Sequence, residues 1–394
     1  MINLLFGLKH REALQNVFAI AKYLKPKEKT HNLKVICFFN LQNQDIQNLN
    51  IYNIEIIKLP ENFKIKGDEN KSKVSSLRKL IKFHSFLETN NDIISKNDSL
   101  IISPGGFLLD QLVAYFAFQN KPSYILQNGF ITADEKIDKK SKDSSKLYNV
   151  FLNLLTKFFK AFRMRKNLTK PSSNITYLTF NDEYRDYIRD SIDYIQNAHT
   201  VGSPRFNSVS NIETGYKKSI LYLSSSALYE NDQILHELIQ EQIFELYNLL
   251  SPKKYNISFR PHPRDSFDWL NYLSDTDIDI LNKDEKLIKQ ISNHKFIVSE
   301  RSTVILQGIL SGKVSFWVHK DKSRIYDYKY IRCEDEVSLV ENIEECNLSD
   351  ENYINMHKNQ LDVLKKRMIS YCGEDSCRII LGLVQENINR LNKK

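Results

Sequence analysis

Short β-branched runs alternate with longer segments of helical period along this chain, and that alternation restricts its fold most. The pattern is typical of a parallel sheet covered by helices on both faces. In the first half, the predicted strands are Asn3–Phe6, Lys34–Phe39, Ile54–Leu59, Ser99–Ser103, Ser123–Gln127 and Ile175–Thr179, and the predicted helices are Arg11–Leu24, Ser75–Leu87, Leu108–Gln119 and Leu147–Lys166. The sequence therefore predicts an α/β fold for this half.

A second alternating series follows a segment rich in Pro, Gly, Ser and Asn at 204–218, which is a linker candidate. The predicted strands are Ser219–Leu223, Asn256–Phe259, Lys295–Val298 and Val314–Val318; the predicted helices are Asn231–Leu250, Glu285–Asn293, Val304–Leu310, Glu351–Met368 and Cys377–Leu391. A length of 394 residues with 41% hydrophobic residues suits two domains. We therefore predict two Rossmann-like domains, 1–206 and 207–394.

Composition and motifs limit the binding partners and the reaction types that this chain can have. The net charge of +8 suits an acidic partner such as a nucleotide, a phosphorylated glycan or an anionic membrane, although Lys-rich usage also follows from an AT-biased genome. The five cysteines lack a CxxC pair, which suggests reduced thiols. We find no P-loop, no GxSxG elbow, no metal-ligand cluster and no nucleic-acid-binding module. The sequence predicts neither a metal nor a bound cofactor.

The sequence predicts neither a signal peptide nor a transmembrane span. The apolar stretch at the N-terminus is shorter than a signal-peptide core and matches a first strand. No apolar run reaches about 18 residues, the length that crosses a bilayer. We predict a cytoplasmic protein.

A basic segment, Thr156–Lys170, carries Phe158, Phe159 and Phe162 at helical spacing. One interpretation is a helix that packs its aromatic side chains on the first sheet while its lysines face water. The other is an amphipathic helix that lies on an anionic membrane at the inner face of the cell membrane. Both interpretations stay open.

The stretch ISFRPHPRD (257–265) places Arg260, His262 and Pro263 just after a predicted strand. Open α/β sheets bind ligands at the carboxyl ends of their strands. Two prolines flank the histidine and stiffen its turn. The alternative is a strand end with solvent-exposed basic residues, but we favour a phosphate contact from His262 with Arg260 supplying charge.

The stretch FIVSERSTVILQGILSGKVSFW (296–317) predicts strand, turn, helix, Gly turn and strand. Ser299 ends the strand, and Ser302 or Thr303 is predicted to be the N-cap of the next helix. A plain N-cap explains these residues when they are taken alone. Because the His-Pro stretch lies one βα unit upstream, we predict that the turn also binds phosphate.

In this order, the two stretches resemble the nucleotide-binding half of bacterial GT-B transferases that use CMP-activated acidic sugars or CDP-alditols. The resemblance implies that His262–Pro263 and the serine turn hold the nucleotide phosphate and the cytidine. It also implies a GT-B architecture in which a cleft separates two Rossmann-like domains. The predicted donor-binding residues are Arg260, His262, Pro263, Ser299, Arg301, Ser302 and Thr303.

The first half contains a matching Gly-rich region, SPGGFLLDQLVAYF, followed by LQNGFITADE. Gly105, Gly106, Asn128 and Gly129 are predicted to contact the acceptor, although a tight turn also explains the Gly pair. Capsule Kdo transferases and sialyltransferases carry acidic residues where this chain has Gln127–Asn128, and CDP-glycerol transferases carry His-Gly. Neither amide is a general base, so the substitute candidates are Asp110, Asp134 and Glu135.

The sequence has no DxD-type pair at a predicted strand end, since the DTD formed by Asp275 and Asp277 has no Gly turn beside it, and we therefore predict that the activity needs no divalent metal. The resemblance implies transfer of an acidic sugar, such as Kdo or a sialic-acid-like sugar, from a CMP-sugar to a glycan or glycolipid acceptor. His262 would assist departure of CMP. Capsule, lipooligosaccharide or other surface-polysaccharide biosynthesis is the implied setting. Two alternatives stay open: a CDP-glycerol or CDP-ribitol phosphotransferase, and a non-catalytic glycan- or nucleotide-binding protein of the same fold.

Overall fold

The computed structural model describes residues 2–27, 31–64, 73–103, 107–127, 174–191, 197–206, 218–225, 227, 232–300, 302, 304–318 and 330–393. These residues form two units by their contacts. The first unit contains the described residues up to 205 together with 369–393, and the second contains those from 206 to 368.

The first unit is built on a parallel sheet. Its described strands are β1 (Ile2–Leu8), β2 (His31–Cys37), β3 (Glu55–Ile57), β4 (Ser99–Ile102), β5 (Ser123–Leu126), β6 (Ile175–Thr179) and β7 (Asn197–Thr200), in the order β3-β2-β1-β4-β5-β6-β7. The early helices are α1 (Leu14–Leu24), α2 (Asn43–Ile51), α3 (Lys73–Thr89), α4 (Asp92–Ser95), α5 (Phe107–Phe118) and α6 (Asp182–Ser191).

Helices cover both faces of this sheet, because its central strands are apolar on both sides. In β1, Leu4 and Phe6 join a cluster with α1, whereas Leu5 packs on the other face with Phe83 of α3 and Leu112 of α5. A strand that is buried on both faces needs a continuous apolar run, and the sequence INLLFGL supplies one.

The second unit repeats the architecture. Its described strands are β8 (Ser219–Leu223), β9 (Asn256–Arg260), β10 (Asp279–Ile280), β11 (Phe296–Ser299), β12 (Val314–Val318) and β13 (Arg332–Cys333), all parallel and in the order β10-β9-β8-β11-β12-β13. Its helices are α7 (Gln233–Leu250), α8 (Trp269–Tyr272), α9 (Leu287–Ser292), α10 (Ile305–Leu310), α11 (Glu336–Leu348) and α12 (Asp350–Arg367). The predicted α/β class is confirmed for both units.

The last helix, α13 (Gly373–Asn392), belongs to the first unit and not to the C-terminal domain that the sequence predicts as 207–394. Its buried residues Ile380 and Val384 share a core cluster with Val17 of α1. The Tyr124 hydroxyl of β5 donates to the Leu383 carbonyl at 3.2 Å. The physical reason is that the apolar stripe of α13 completes the cover of the first sheet.

Both sheets reverse their strand order beside their first strand. From β1 the chain builds outward to β3, then returns to place β4 on the other side; β8 and β11 repeat this arrangement in the second unit. Ligands in open α/β sheets bind at such switch points, outside the carboxyl ends of the strands. The topology therefore marks one candidate position in each unit.

The predicted helix Leu147–Lys166 and the whole basic segment Thr156–Lys170 lie outside the described residues. Among the helices that the structure describes, none is both long and apolar enough to cross a bilayer.

Candidate functional site

The candidate site lies at the switch point of the second sheet, where three neighbouring strands end. Leu223 ends β8, Arg260 ends β9 and Ser299 ends β11, and β8 pairs with both of the others. The residues after these strand ends therefore meet at one edge of the sheet. Both stretches that the sequence marks as donor-binding reach this edge.

Arg260 is almost fully buried, with 7% of its surface exposed. Its Nη2 donates to the carbonyls of Lys283 at 2.8 Å and Glu285 at 3.0 Å. Burial lowers the pKa of the guanidinium, and the nearby Glu285 and Asp284 oppose that shift. Among the described residues Nη1 has no hydrogen-bond partner. Arg260 thus fixes the loop after β10 and keeps one donor nitrogen unused.

The turn around His262 is held from two sides. Its backbone N–H donates to the Ser224 Oγ at 3.0 Å, and its Nδ1 accepts from the Arg264 N–H at 3.2 Å. A ring nitrogen that accepts carries no proton, so the neutral imidazole has its proton on Nε2. His262 is half-buried and Pro263 is exposed. The structure therefore presents His262 as an oriented hydrogen-bond donor.

Asp265 closes this turn. Its carboxylate accepts from Trp269 Nε1 at 2.8 Å and from the Phe267 N–H at 3.0 Å. Lys283 Nζ donates to the Asp265 carbonyl at 2.7 Å. Since Arg260 binds the carbonyl of the same lysine, the His262 turn and the loop after β10 stabilise each other.

The serine turn differs in detail from the sequence prediction. Ser299 is buried, and its Oγ accepts from the Ser302 N–H at 3.2 Å; the Ser302 Oγ accepts from the Val304 N–H at 3.3 Å. The residue that precedes α10 is Val304, so the prediction that Ser302 or Thr303 is the N-cap is wrong. The helix begins later than predicted, because the Ser299 and Ser302 side chains accept from backbone N–H groups within the turn that precedes it.

Glu300, between these serines, is a residue that sequence reasoning missed. It is fully buried, and it accepts a hydrogen bond from the Ser225 N–H at 2.5 Å. Burial raises the pKa of its carboxyl, and hydrogen bonds from Ser225 and Tyr222 offset part of that rise. Ser225 follows β8 and Glu300 follows β11, so this contact joins the two strand ends of the switch point.

Ser224 is a second residue that the sequence analysis left unassigned. Its Oγ holds the His262 backbone, and its own N–H donates to the Arg260 carbonyl at 3.2 Å. The available signal was a run of three serines directly after the buried strand SILYL, beside the end of β11 that Ser299 forms. Serine hydroxyls that follow neighbouring parallel strands lie at the same edge of the sheet, so Ser224 was as good a candidate for the site as Ser299.

The described part of the first unit contains one predicted catalytic residue. Asp110 lies in the first turn of α5, half-buried. Gln127 is buried, and its Oε1 accepts from the Phe180 N–H at 2.8 Å, which is a structural role. The remaining predicted residues lie outside the described residues: Gly105, Gly106, Asn128, Gly129, Asp134, Glu135, Arg301 and Thr303.

The switch point of the first sheet is closed by Ser103. Its N–H donates to the Gly7 carbonyl at 3.1 Å, and its Oγ accepts from the Lys9 N–H at 3.1 Å. Ser103 therefore joins the ends of β4 and β1, as Glu300 joins β11 and β8. Asp110 follows one turn into the next helix.

The described residues hold no group of three or more His, Cys, Asp or Glu side chains arranged for a metal ion. The pair Asp275 and Asp277 precedes β10, at the amino end of that strand, on the edge opposite to the candidate site. These aspartates are therefore separate from the His262 turn.

No protein-family model matches this chain, and no curated protein matches it significantly. Solved structures do match. CalG4, the calicheamicin glycosyltransferase, aligns with a TM-score of 0.60 at 11% identity over 99% of each chain. The UDP-GlcNAc 2-epimerase from Neisseria meningitidis, bound to UDP-GlcNAc, gives 0.59 at 14% identity over 98% of this chain and 100% of its own.

The wall teichoic acid polymerase TagF, in a structure soaked with CDPG, aligns with a TM-score of 0.53 at 11% identity over 100% of this chain and 90% of its own. These alignments span both units. The chain has the GT-B fold.

The GT-B fold that the sequence predicted is thus confirmed. The neighbours' ligands, UDP-GlcNAc and CDPG, are properties of those proteins. At sequence identities of 11% to 14%, the structural similarity establishes the fold alone. The activity of this GT-B chain therefore has to be inferred from its own residues.

Proposed function

We propose that this chain is a glycosyltransferase that binds a nucleotide-activated donor at the carboxyl edge of its second sheet. The observation that carries the proposal is the convergence of Arg260, His262 and the Ser299–Ser302 turn at the β8/β11 switch point. The switch point is where a doubly wound sheet offers a crevice. The side chains there suit an anionic ligand.

Three hydrogen-bond donors support the phosphate part of this assignment. Arg260 Nη1 is buried without a partner among the described residues, and a buried guanidinium donor left unpaired is costly. His262 carries its proton on Nε2, since Nδ1 accepts. The half-buried Ser302 hydroxyl accepts from Val304, which leaves its own hydrogen to give. A bound phosphate would accept from all three.

These donors would act on the leaving group. The acceptor oxygen attacks the anomeric carbon, the bond from that carbon to the phosphate oxygen breaks, and the nucleotide departs with both electrons. Donors that are already oriented stabilise the charge that develops on the phosphate. Within the described residues, Asp110 is our candidate for taking the acceptor proton.

For the donor we propose a CMP-linked acidic sugar, on the strength of the His-Pro and serine motifs at positions 262–263 and 299–303. The acceptor would be a glycan or glycolipid of a surface polysaccharide. A second candidate is transfer from CDP-glycerol or CDP-ribitol, which the likeness to TagF favours. Both candidates share cytidine, so the nucleotide base is the first thing to measure.

Thermal unfolding with CMP, CDP, UDP and GDP tests this proposal. A ligand present at 100 times its Kd stabilises the folded state by about 2.7 kcal/mol, so a specific nucleotide raises Tm measurably. We expect CMP or CDP to raise Tm more than UDP or GDP, with EDTA making no difference. A shift confined to UDP would contradict the cytidine assignment. Donor turnover lost in EDTA and restored by manganese would contradict the metal-independent mechanism.

A further inference from the structure

A groove of about 660 Å³ lies at the amino edge of the second sheet, opposite the candidate donor site. Ser219 at the start of β8, Asn256 at the start of β9 and His294 just before β11 all line it. The donor motifs follow the carboxyl ends of the same strands, so the groove is separate from them. Its hydroxyl, amide, carboxylate and imidazole groups have no part in the proposed transferase reaction.

Ser258 and His294 form a hydrogen-bonded pair in the wall of this groove. The His294 Nε2 and the Ser258 Oγ are 2.9 Å apart. The Nδ1 of the same ring lies 2.7 Å from the Gln290 carbonyl oxygen. A carbonyl oxygen only accepts, so Nδ1 carries the ring proton and donates it to Gln290. In the neutral ring Nε2 is then an acceptor, and it receives the Ser258 hydroxyl hydrogen.

Secondary structure holds both members of the pair. Ser258 is in the middle of β9, where it pairs with Leu221 of β8 and Asp279 of β10. His294 follows α9, and its backbone N–H donates to the Ile291 carbonyl at 3.2 Å. Serine becomes a nucleophile when a base lies within hydrogen-bond reach and a third group orients that base. Ser258, His294 and the carbonyl at Nδ1 have this arrangement.

The charges around His294 suit a general base. Burial lowers the pKa of the imidazole; the hydrogen bond to the Gln290 carbonyl and the charge of Asp279 oppose that shift, and Lys313 adds to it. The ring is therefore neutral at neutral pH, as a base must be before it takes a proton. Asp279 lies on the strand beside Ser258 and supplies negative charge that would stabilise the imidazolium.

We propose that Ser258 and His294 are a catalytic pair that hydrolyses short-chain esters, such as acetyl esters, in the groove at the amino edge of the second sheet. Ser258 Oγ bonds to the ester carbonyl carbon while its hydrogen passes to His294 Nε2. The bond from that carbon to the alcohol oxygen breaks, and the alcohol leaves with the proton from Nε2. Water then gives a proton to Nε2 and its hydroxyl to the acyl carbon. The acid departs, and Ser258 regains its hydrogen from Nε2.

Asn256 is placed to stabilise the intermediate of this reaction. It lies two residues before Ser258 on β9, so both side chains point to the same face of the sheet, and both line the groove. A side-chain amide can donate to the oxyanion that forms on the carbonyl. Ser258 and His294 are only 7% and 8% exposed, which restricts the acyl group to a small one. The exposed charges of Asp277 and Lys254 in the same groove suit a polar alcohol.

Hydrolysis of p-nitrophenyl acetate by the full chain tests the activity. We expect kcat/KM to fall about 100-fold or more in Ser258→Ala and in His294→Gln. Ser251→Ala removes a hydroxyl from the same groove and serves as the matched control, with unchanged kcat/KM. Thermal unfolding checks each variant, and Ser258→Ala keeps the comparison available if His294→Gln fails to fold. Equal rates in wild type and folded Ser258→Ala would overturn the proposal.

Covalent labelling tests the nucleophile without relying on a substrate. A fluorophosphonate transfers its phosphorus to an activated serine oxygen, and fluoride leaves with the hydroxyl proton. We expect mass spectrometry to find the added group on the peptide that contains Ser258, and to find Ser251 unlabelled. Folded His294→Gln should lose the label. Wild-type protein that stays unlabelled at Ser258 would refute the assignment of this residue.

The pH profile tests His294 as the base. Only the neutral imidazole takes the proton, so kcat/KM should rise with pH to a plateau. Because burial lowers the pKa, the half-maximal rate should lie below about pH 6.5, the ordinary value for histidine. Asp279→Asn removes a charge that opposes this shift, so its midpoint should move to still lower pH. A midpoint above about pH 6.5, or one that Asp279→Asn raises, would contradict His294 as the base.

Discussion

Replacing Gly202 with alanine is expected to destabilise the protein by about 3 kcal/mol or more. Gly202 follows β7 with φ at +71°, a left-handed conformation that side chains disfavour. A Cβ at this position would lie 1.8 Å from the Tyr371 carbonyl oxygen. The obstacle is backbone, which cannot rotate away as a side chain can.

The backbone on both sides of this contact is fixed. The Ser203 N–H donates to the Tyr371 carbonyl at 2.9 Å, and the Gly373 N–H donates to the Ser203 carbonyl at 3.2 Å. These bonds connect the strand end of β7 to the beginning of α13, so a shift that relieved the clash would break them. We therefore expect little relaxation at this point.

The matched control is Gly382→Ala, in the middle of α13. A Cβ there meets no atom within 4 Å, and alanine favours a helix over glycine by up to about 1 kcal/mol. Urea denaturation should show the midpoint rising slightly for Gly382→Ala and falling steeply for Gly202→Ala. Equal midpoints for the two variants would contradict the close approach of Gly202 to Tyr371.

His262→Ala and Ser302→Ala are each expected to weaken cytidine-nucleotide binding by about tenfold to a hundredfold. Removing one donor to a charged phosphate costs about 1.5–3 kcal/mol. His262 should matter more, because the Arg264 N–H orients its ring, whereas a backbone N–H can partly replace the Ser302 hydroxyl as a donor to phosphate. Both residues are half-buried at a strand end, so truncation opens no core cavity.

Asn293→Ala is the control for this pair, because Asn293 is exposed beside α9 at the amino end of β11. It should bind nucleotide as wild type does. Calorimetry measures the affinities, and thermal unfolding checks that each variant is folded. The donor assignment would be refuted by unchanged nucleotide affinity in both folded site variants.

The sequence predicted those elements that its apolar periodicity defines. The buried run of β8, SILYL, and the long period of α7 are visible without a structure. The edge strands β7, β10 and β13 were missed, because two to four residues with few apolar side chains give no pattern. Each forms because a neighbouring strand offers its free edge, as β6 pairs Thr179 with Thr200.

Periodicity also predicted the last helix without predicting its partner. An apolar stripe containing Ile380 and Val384 requires burial, but its spacing does not say against which sheet. The assignment of this helix to the second domain followed chain order. Only the contacts with α1 and Tyr124 place it on the first unit.

At the site, the strand-end rule located the right turns but assigned their residues incompletely. Glu300 was overlooked because a carboxylate inside a polar turn is expected to face solvent, whereas the tertiary fold buries it completely. The role of Arg260 in fixing the loop after β10 was equally invisible, because Lys283 and Glu285 approach only through the parallel pairing of β9 with β10.

The most direct test of the account is hydrogen exchange with and without saturating CMP or CDP. Ligand binding suppresses local opening, so amides at the binding site should exchange more slowly. We predict new protection in peptides that contain Ser224 and Ser225, residues 260–265 and residues 299–304, with none in residues 251–255, which precede β9 at the amino edge of the sheet. Protection confined to the first unit, or no protection by either nucleotide, would contradict the placement of the donor at the β8/β11 switch point.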